Sequence, residues 1–242
     1  MLRRCLADRR FLLMLPRAIC LQLLHPGIAA GIFQHSLYRE RIWQHERRTM
    51  PAVIEIAGSA RDMRPFIRFA HEHVKGVDDT GRSYHSLNPE LFHFQHATLV
   101  DTVFAVAERL GPLDPDAHEQ LYQQCCRWYR RYGISTRPMP QHWPDFRDYF
   151  EQLCATELSA GEHFERFRAE IFAPSDWWQR LAPKAAIRAM QHPRARALTG
   201  ITVNSADERT LRLMFKTAAI LPAGKYPWAP DHESADQTRT AP

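Results

Sequence analysis

The chain has 242 residues, of which 45% are hydrophobic and 24% are charged, enough for one sizeable core. Glycine is scarce and long Val/Ile/Thr alternation is missing, which argues against a sheet-based fold. We therefore predict an all-α, single-domain bundle of about eight or more helices. The net charge of +5 comes from basic residues interleaved with acids along the chain, which argues against a nucleic-acid partner.

The N-terminal segment predicts a helix from Leu6 to Leu24 that bends at Pro16 and ends at the triplet beginning with His25. Charges at Asp8, Arg9 and Arg10 interrupt its apolar run, so neither a signal peptide nor a membrane span is predicted. Five cysteines, an odd number without regular spacing, are typical of a reduced compartment. We expect a cytoplasmic protein, and contact of this segment with an anionic membrane surface is the less favoured alternative.

Two further helices are predicted over 37–57, rebent near Pro51, and over 60–74. In the second, apolar residues recur at spacings of three and four and form a single stripe. His71 lies four residues after Ile67 on that stripe and is predicted to face inward. His73 cannot share its face.

A polar loop is predicted over 76–86, followed by the most apolar helix of the chain. Asn88 as N-cap, a first-turn proline and Glu90 predict the start of that helix, which continues to Leu110. Apolar residues cover nearly its whole circumference, so we expect it at the centre. Further helices are predicted over 115–132, 143–156, 160–172 and 206–220, within a helical domain of residues 1–224 followed by a flexible tail, 225–242.

Three histidines, each within a short motif, are candidate metal ligands: His25 in LLHPGIAAG, His71 in HEHVKG and His96 in QHATLVDT. Histidine is the commonest metal ligand because its neutral ring offers a lone pair near neutral pH. Each is also compatible with a hydrogen-bonded core residue. Glu90 and His93 form one Glu-x-x-His motif where a di-iron bundle needs two, so a non-haem metal site is a minor alternative.

In their order and separations, these motifs resemble the MpaB-like oxygenase family, which is related to the haem-containing latex-clearing rubber oxygenases. The resemblance covers roughly residues 15–110. It implies haem b in a haem-sized apolar pocket of the bundle, with His71 as the iron ligand, on the pattern His71, Val74, Gly76. It further implies that His96 contacts the cofactor, that His25 donates a distal hydrogen bond, and that dioxygen oxidises an apolar, isoprenoid-like or lipid-like substrate.

Arg48 and Thr49 resemble the Lys-Thr pair on the distal side of latex-clearing proteins, which implies a catalytic role for both. Arginine stays protonated and has no lone pair to give, so Arg48 cannot bind iron as that lysine can. It is expected to hydrogen-bond dioxygen or a haem propionate. The alternative is an ordinary solvated helix face shared with Arg47.

A second departure concerns the general base. Residues 25–33, where latex-clearing proteins approximately have a base glutamate, contain no carboxylate, and Glu40 and Glu46 are the nearest substitutes. Together with the arginine at position 48, this keeps a different class of function open. The chain would then be a non-catalytic helical protein that binds haem or a lipid in the same apolar cavity.

Overall fold

The computed structural model describes residues 1–58 and 61–220, which form twelve α-helices, one 3₁₀ turn (Gln179–Leu181) and one short hairpin. The helices are α1 Leu2–Ala7, α2 Arg9–Leu24, α3 Pro26–His35, α4 Ile42–Gly58, α5 Arg64–His71, α6 Pro89–Leu110, α7 Pro115–Arg130, α8 Trp143–Thr156, α9 Glu162–Phe172, α10 Lys184–Met190, α11 Pro193–Thr199 and α12 Ser205–Ile220. The predicted all-α, single-domain class is confirmed. The predicted tail, 225–242, lies outside the described residues.

The hairpin replaces the loop predicted over 76–86. Its strands, β1 Lys75–Val77 and β2 Ser83–His85, pair antiparallel with Gly76 opposite Tyr84. The buried Asp78 carboxylate accepts hydrogen bonds from the backbone N–H groups of Thr80 and Arg82 and thereby closes the turn. The loop prediction was wrong because this local side-chain to backbone bonding has no hydrophobic periodicity.

The two prolines at which bends were predicted do not end their helices, since Pro16 lies inside α2 and Pro51 inside α4. The helix predicted over 6–24 is divided instead at Asp8, whose side chain accepts from the N–H of Arg10 and so caps α2. Pro16 is itself buried, and the packing of α2 offsets the backbone hydrogen bond that a proline removes. The helix predicted over 60–74 is shorter, and α10 and α11 were not predicted.

The core is built on the packing of α2 against α6. Of the 16 residues of α2, 13 are buried, and α6 buries residues around most of its circumference, as predicted. Helices α9, α10 and α12 also contact α2.

All five cysteines are buried and free. Within the described part of the chain, no single helix has the length and apolarity of a membrane span. The pair α2 and α3, bent by 98° at their junction, is together long and apolar enough for one.

One partly buried ion pair joins three of the core helices. The Arg17 guanidinium donates to both carboxylate oxygens of Asp101 on α6, at 2.6 and 3.0 Å, and to the carbonyl of Met190 on α10, at 2.8 Å. The two side chains are only 13% and 16% exposed. Bidentate geometry and low exposure make such a pair strong, and costly to break from one side.

We expect Arg17→Met to lower the free energy of unfolding by about 3 kcal/mol, because Asp101 is left with its charge unpaired. The double variant Arg17→Met/Asp101→Leu should recover most of that loss. Urea unfolding followed by circular dichroism measures both. Arg137→Met is the control, since its pair with Glu90 is exposed and should contribute under about 1 kcal/mol. Equal losses in the two single variants would contradict the assignment.

Candidate functional site

His71, at the C-terminal end of α5, has one ring nitrogen engaged and the other free. Its Nδ1–H donates to the carbonyl oxygen of Ile67, one helical turn earlier, at 2.8 Å. Burial lowers the pKa of His71 below its ordinary value, so the ring is neutral at neutral pH. In that tautomer Nε2 carries the lone pair, and no other described residue makes a hydrogen bond to it. A backbone bond of this kind orients an imidazole for ligation.

The hairpin and the end of α7 hold α5 in place. Ser86 Oγ donates to the carbonyl of His71 at 2.8 Å, and Nε2 of His85 lies 3.2 Å from the carbonyl of Glu72. At the other end, the stem of Arg64 packs on Gly133, where φ is +72° and a β-carbon would collide with that stem. Ile67 is the one fully buried residue of α5. The helix is therefore fixed at both ends and only lightly packed between them.

His45 on α4 belongs to the same site and was missed by the sequence analysis. Its Nδ1 shares a 3.1 Å hydrogen bond with Ser36 Oγ. Burial, together with smaller electrostatic effects of His71 and Arg48, lowers the pKa of His45 to about 4. These three side chains therefore lie within electrostatic reach of one another. The positions 45, 48 and 49 have i, i+3 and i+4 spacing, which would have placed His45 on the face of the predicted pair.

Arg48 is exposed, and it forms no ion pair with any described residue. Its neighbour Arg47 turns away and approaches the carboxylate of Asp176 at 3.5 Å. Thr49 is half-buried, and its hydroxyl donates to the carbonyl of His45 at 3.2 Å. The structure thus brings Arg48 and Thr49 to the α4 side of the site, and it leaves the guanidinium of Arg48 free.

His96 lies on α6 in a box of aromatic rings. The ring centroids of Trp128, Tyr129 and Tyr132 are 4.7, 5.2 and 5.5 Å from its own. Both ring nitrogens are buried without a hydrogen-bond partner among the described residues. Burial lowers the pKa of His96 to about 3, although a backbone group of Cys125 nearby opposes the shift. His96 is therefore neutral at physiological pH.

Phe92 connects the two histidines without bringing them into contact. Its ring lies 5.5 Å from that of His71 and 5.3 Å from that of Tyr132, which in turn touches His96. His96 follows Phe92 by one helical turn and shares its face of α6. The rings of Phe92 and Tyr132 thus link His96 to His71, and no direct ring contact between the two histidines is seen. The role of His96 as a cofactor contact stays a prediction.

His25 lies at the junction of α2 and α3, and its ring contact is with Phe94 rather than with Phe92. It stacks near Phe94, 5.3 Å between centroids, and its Nδ1 is buried without a partner in the described residues. Burial lowers the pKa of His25 to about 4. Phe94 points from the face of α6 opposite to Phe92. The structure therefore does not place His25 next to His71, and its distal role stays a prediction.

The two substitute carboxylates differ sharply in environment. Glu46 is buried, and burial raises its pKa to about 8, so it is mostly protonated at neutral pH. Glu40 lies on the surface, where it pairs with Arg166 at 3.4 Å. Neither is an ionised carboxylate held in a dry site.

Two surface clefts, of about 250 and 400 Å³, are lined mainly by polar side chains and contain none of the five predicted site residues. The haem-sized apolar pocket stays a prediction. Among the described residues, no three His, Cys, Asp or Glu side chains are grouped so that they could hold a metal ion by themselves. A single histidine with a free nitrogen suits iron that is already held in a macrocycle.

A sequence profile described as "ER-bound oxygenase mpaB/B'/Rubber oxygenase, catalytic domain" matches residues 3–220. The chain belongs to this family. The resemblance drawn from the histidine motifs is thereby confirmed, and it extends through α12. Membership in a family of oxygenase catalytic domains supports an enzyme of the oxygenase class.

One curated protein is also similar, namely the protein nucleotidyltransferase YdiU of Sphingopyxis alaskensis. It is 24% identical over 163 residues, which cover 55% of this chain and 34% of that protein. The chain thus spans about a third of this relative's length, and the identity is too low to transfer its activity. No solved structure matches the chain.

The environment of His96 makes stability depend on acid pH. Because the folded-state pKa lies near 3 and the ordinary value is 6.5, its contribution is complete above pH 6.5 and is lost as the pH falls towards 3. His96→Phe removes this titration and keeps an aromatic ring in the box. Between pH 6.5 and about 4.5, we expect the variant to lose about 2 kcal/mol less stability than the parent. Urea midpoints measured across that range test it, and parallel profiles would contradict it.

Proposed function

We propose that this protein is a haem b-dependent oxygenase that uses dioxygen to oxidise an apolar, isoprenoid-like or lipid-like substrate. The observation that carries the proposal is the ring of His71, which is neutral, fixed through Nδ1 to the carbonyl of Ile67, and free at Nε2. The family of oxygenase catalytic domains supplies the reaction class. The arrangement supports an axial ligand whose partner group fixes both its tautomer and its orientation.

The residues around His71 fit a haem in their chemistry. The Phe92 ring of α6 lies 5.5 Å from the imidazole, and Ile67, one helical turn before His71 on α5, is buried. Arg48 provides a free cation near His45 that can pair with a propionate or donate to dioxygen. When bound, haem iron would supply the activation of dioxygen, which no protein side chain provides.

The protein's own contribution is to hold a neutral ligand and a localised positive charge close together. The low pKa of His45 keeps its ring neutral, so it can accept or donate a hydrogen bond without adding charge. Arg48 stays charged and stabilises negative charge that develops on oxygen. Since Arg48 is exposed, solvent screens its effect, and we expect a smaller contribution than a buried donor would make.

We expect His71→Ala to abolish the Soret band of the haem-reconstituted protein while helical circular dichroism is retained. The variant removes the only nitrogen that the structure holds neutral, oriented and free on α5. His73→Ala is the matched control, because His73 lies beyond the end of α5, is exposed, and should keep its haem. A full-strength Soret band in His71→Ala would remove His71 as the ligand.

Arg48→Met keeps the side-chain length and removes the charge. We expect it to retain haem and to slow oxygen consumption with apolar isoprenoid substrates by roughly tenfold, since a screened donor contributes about 1.4 kcal/mol. Arg47→Met is the matched control, because Arg47 points to Asp176 and away from the site. Equal rates in Arg48→Met and the parent would exclude Arg48 from the reaction.

The alternative, non-catalytic function predicts a different result for the unaltered protein. A non-catalytic haem- or lipid-binding protein would show the Soret band but consume no oxygen across a broad panel of apolar substrates. The arginine at position 48 and the protonated Glu46 are the observations in its favour, since neither supplies a second ligand or an ionised base. Oxygen consumption with any one substrate would decide for the oxygenase.

A further inference from the structure

Helix α5 has an inward and an outward face, and its outward face is apolar. Ile67 and His71, four residues apart, point into the domain. Phe66 and Phe69, three residues apart, point outward and are 49% and 82% exposed. A surface helix normally turns its aromatic side chains inward, so these exposed rings favour an apolar contact that residues 1–58 and 61–220 do not provide.

A further apolar side chain lies at the adjoining turn. The turn after α5 meets the end of α3, since the rings of His73 and His35 are 5.9 Å apart. Leu37 lies two residues beyond His35 and is 81% exposed. We call Phe66, Phe69 and Leu37 the α5 face. Three large apolar side chains are thus exposed at the edge of the site that contains His71.

Arg64 of α5 pairs with Asp62, but three other basic residues near the α5 face have no acidic partner. Arg39, Arg48 and Arg68 are exposed, and none forms an ion pair with any residue of the described ranges. A second copy of the chain packed face to face would bring these like charges together. An anionic surface with an apolar interior matches both the charge and the exposed rings.

We propose that the α5 face docks the protein on an anionic lipid bilayer, with Phe66 and Phe69 inserted among the lipids and the three arginines at the headgroups. In the sequence analysis, membrane contact of the N-terminal segment was the less favoured alternative, and most residues of α2 in that segment are buried. The docking surface lies beside His71, so an apolar molecule leaving the bilayer would meet the candidate site first. This binding goes beyond the proposed function and needs neither haem nor turnover.

Co-sedimentation of the full chain with vesicles tests the proposal. We expect binding to phosphatidylcholine vesicles that contain phosphatidylglycerol, and weaker binding to phosphatidylcholine alone or at high salt. Phe66→Ser/Phe69→Ser should lower the partition coefficient at least about tenfold, because two rings no longer enter the bilayer. Both residues are exposed, so the variant should fold, which circular dichroism and an unchanged Soret band on haem addition verify.

Two further variants test whether vesicle binding depends on the α5 face or on nonspecific apolar contacts. Leu213→Ser is the matched control, since Leu213 is 60% exposed beside the basic Arg212 on α12 and should bind as the parent does. Arg68→Glu should weaken binding to anionic vesicles severalfold and leave binding to phosphatidylcholine unchanged. Parent-like binding of Phe66→Ser/Phe69→Ser would overturn the proposal. So would a parent that ignores anionic vesicles, or one that forms a dimer which the double variant dissolves.

Discussion

The packing of α2 against α6 is the contact on which the rest of this structure depends. Because α2 is buried along most of its length, neighbouring helices must cover it, and α9, α10 and α12 do so. The Arg17–Asp101 pair fixes the alignment of α2 on α6 and extends it to α10. α6 lies in the centre, and its faces contact different helices. Phe92 contacts His71 of α5, His96 contacts Trp128 of α7, and Phe94 contacts His25 at the end of α2.

Loss of hydration decides the chemical state of the histidines in this frame. Burial lowers the pKa of His25, His45 and His93 to about 4 and that of His96 to about 3, so all four are neutral near pH 7. Neutrality alone does not make a ligand, since a core histidine is also neutral. His93, for example, shares a hydrogen bond between its Nδ1 and the hydroxyl of Tyr149. His45 also has its Nδ1 bonded, to the Ser36 hydroxyl, which can donate or accept. What distinguishes His71 is that its Nδ1 partner is a backbone carbonyl, which can only accept and therefore leaves the lone pair on a free Nε2.

The sequence predicts the long elements well because their signals are local. Asn88 caps α6 through the N–H groups of Glu90 and Leu91, and the helix runs to Leu110 as its apolar pattern indicates. The inward position of His71 follows from its spacing to Ile67. The hairpin could not be predicted, since it depends on the Asp78 turn. The contact of His25 with Phe94 depends on how α2 crosses α6, which helix periodicity does not report. His45 could have been found, because its spacing to Arg48 and Thr49 places all three on one face of α4.

The eight-residue helix α5 has two faces with different roles, an inward face that contains His71 and an outward face that contains Phe66 and Phe69. Inward, one isoleucine and one histidine are all that it contributes to the domain, so the helix has little packing to lose when a ligand inserts beside it. Outward, two phenylalanines are exposed to water. Adjacent exposed aromatic side chains are unusual on a monomeric domain and are typical of interaction surfaces. An apolar substrate is scarce in water and abundant in a bilayer, and it reaches a site most easily when the protein surface around that site is itself apolar. The light anchoring of α5, its exposed rings and the free nitrogen of His71 are therefore parts of one arrangement, in which the segment that holds the ligand is also the segment nearest to the source of substrate.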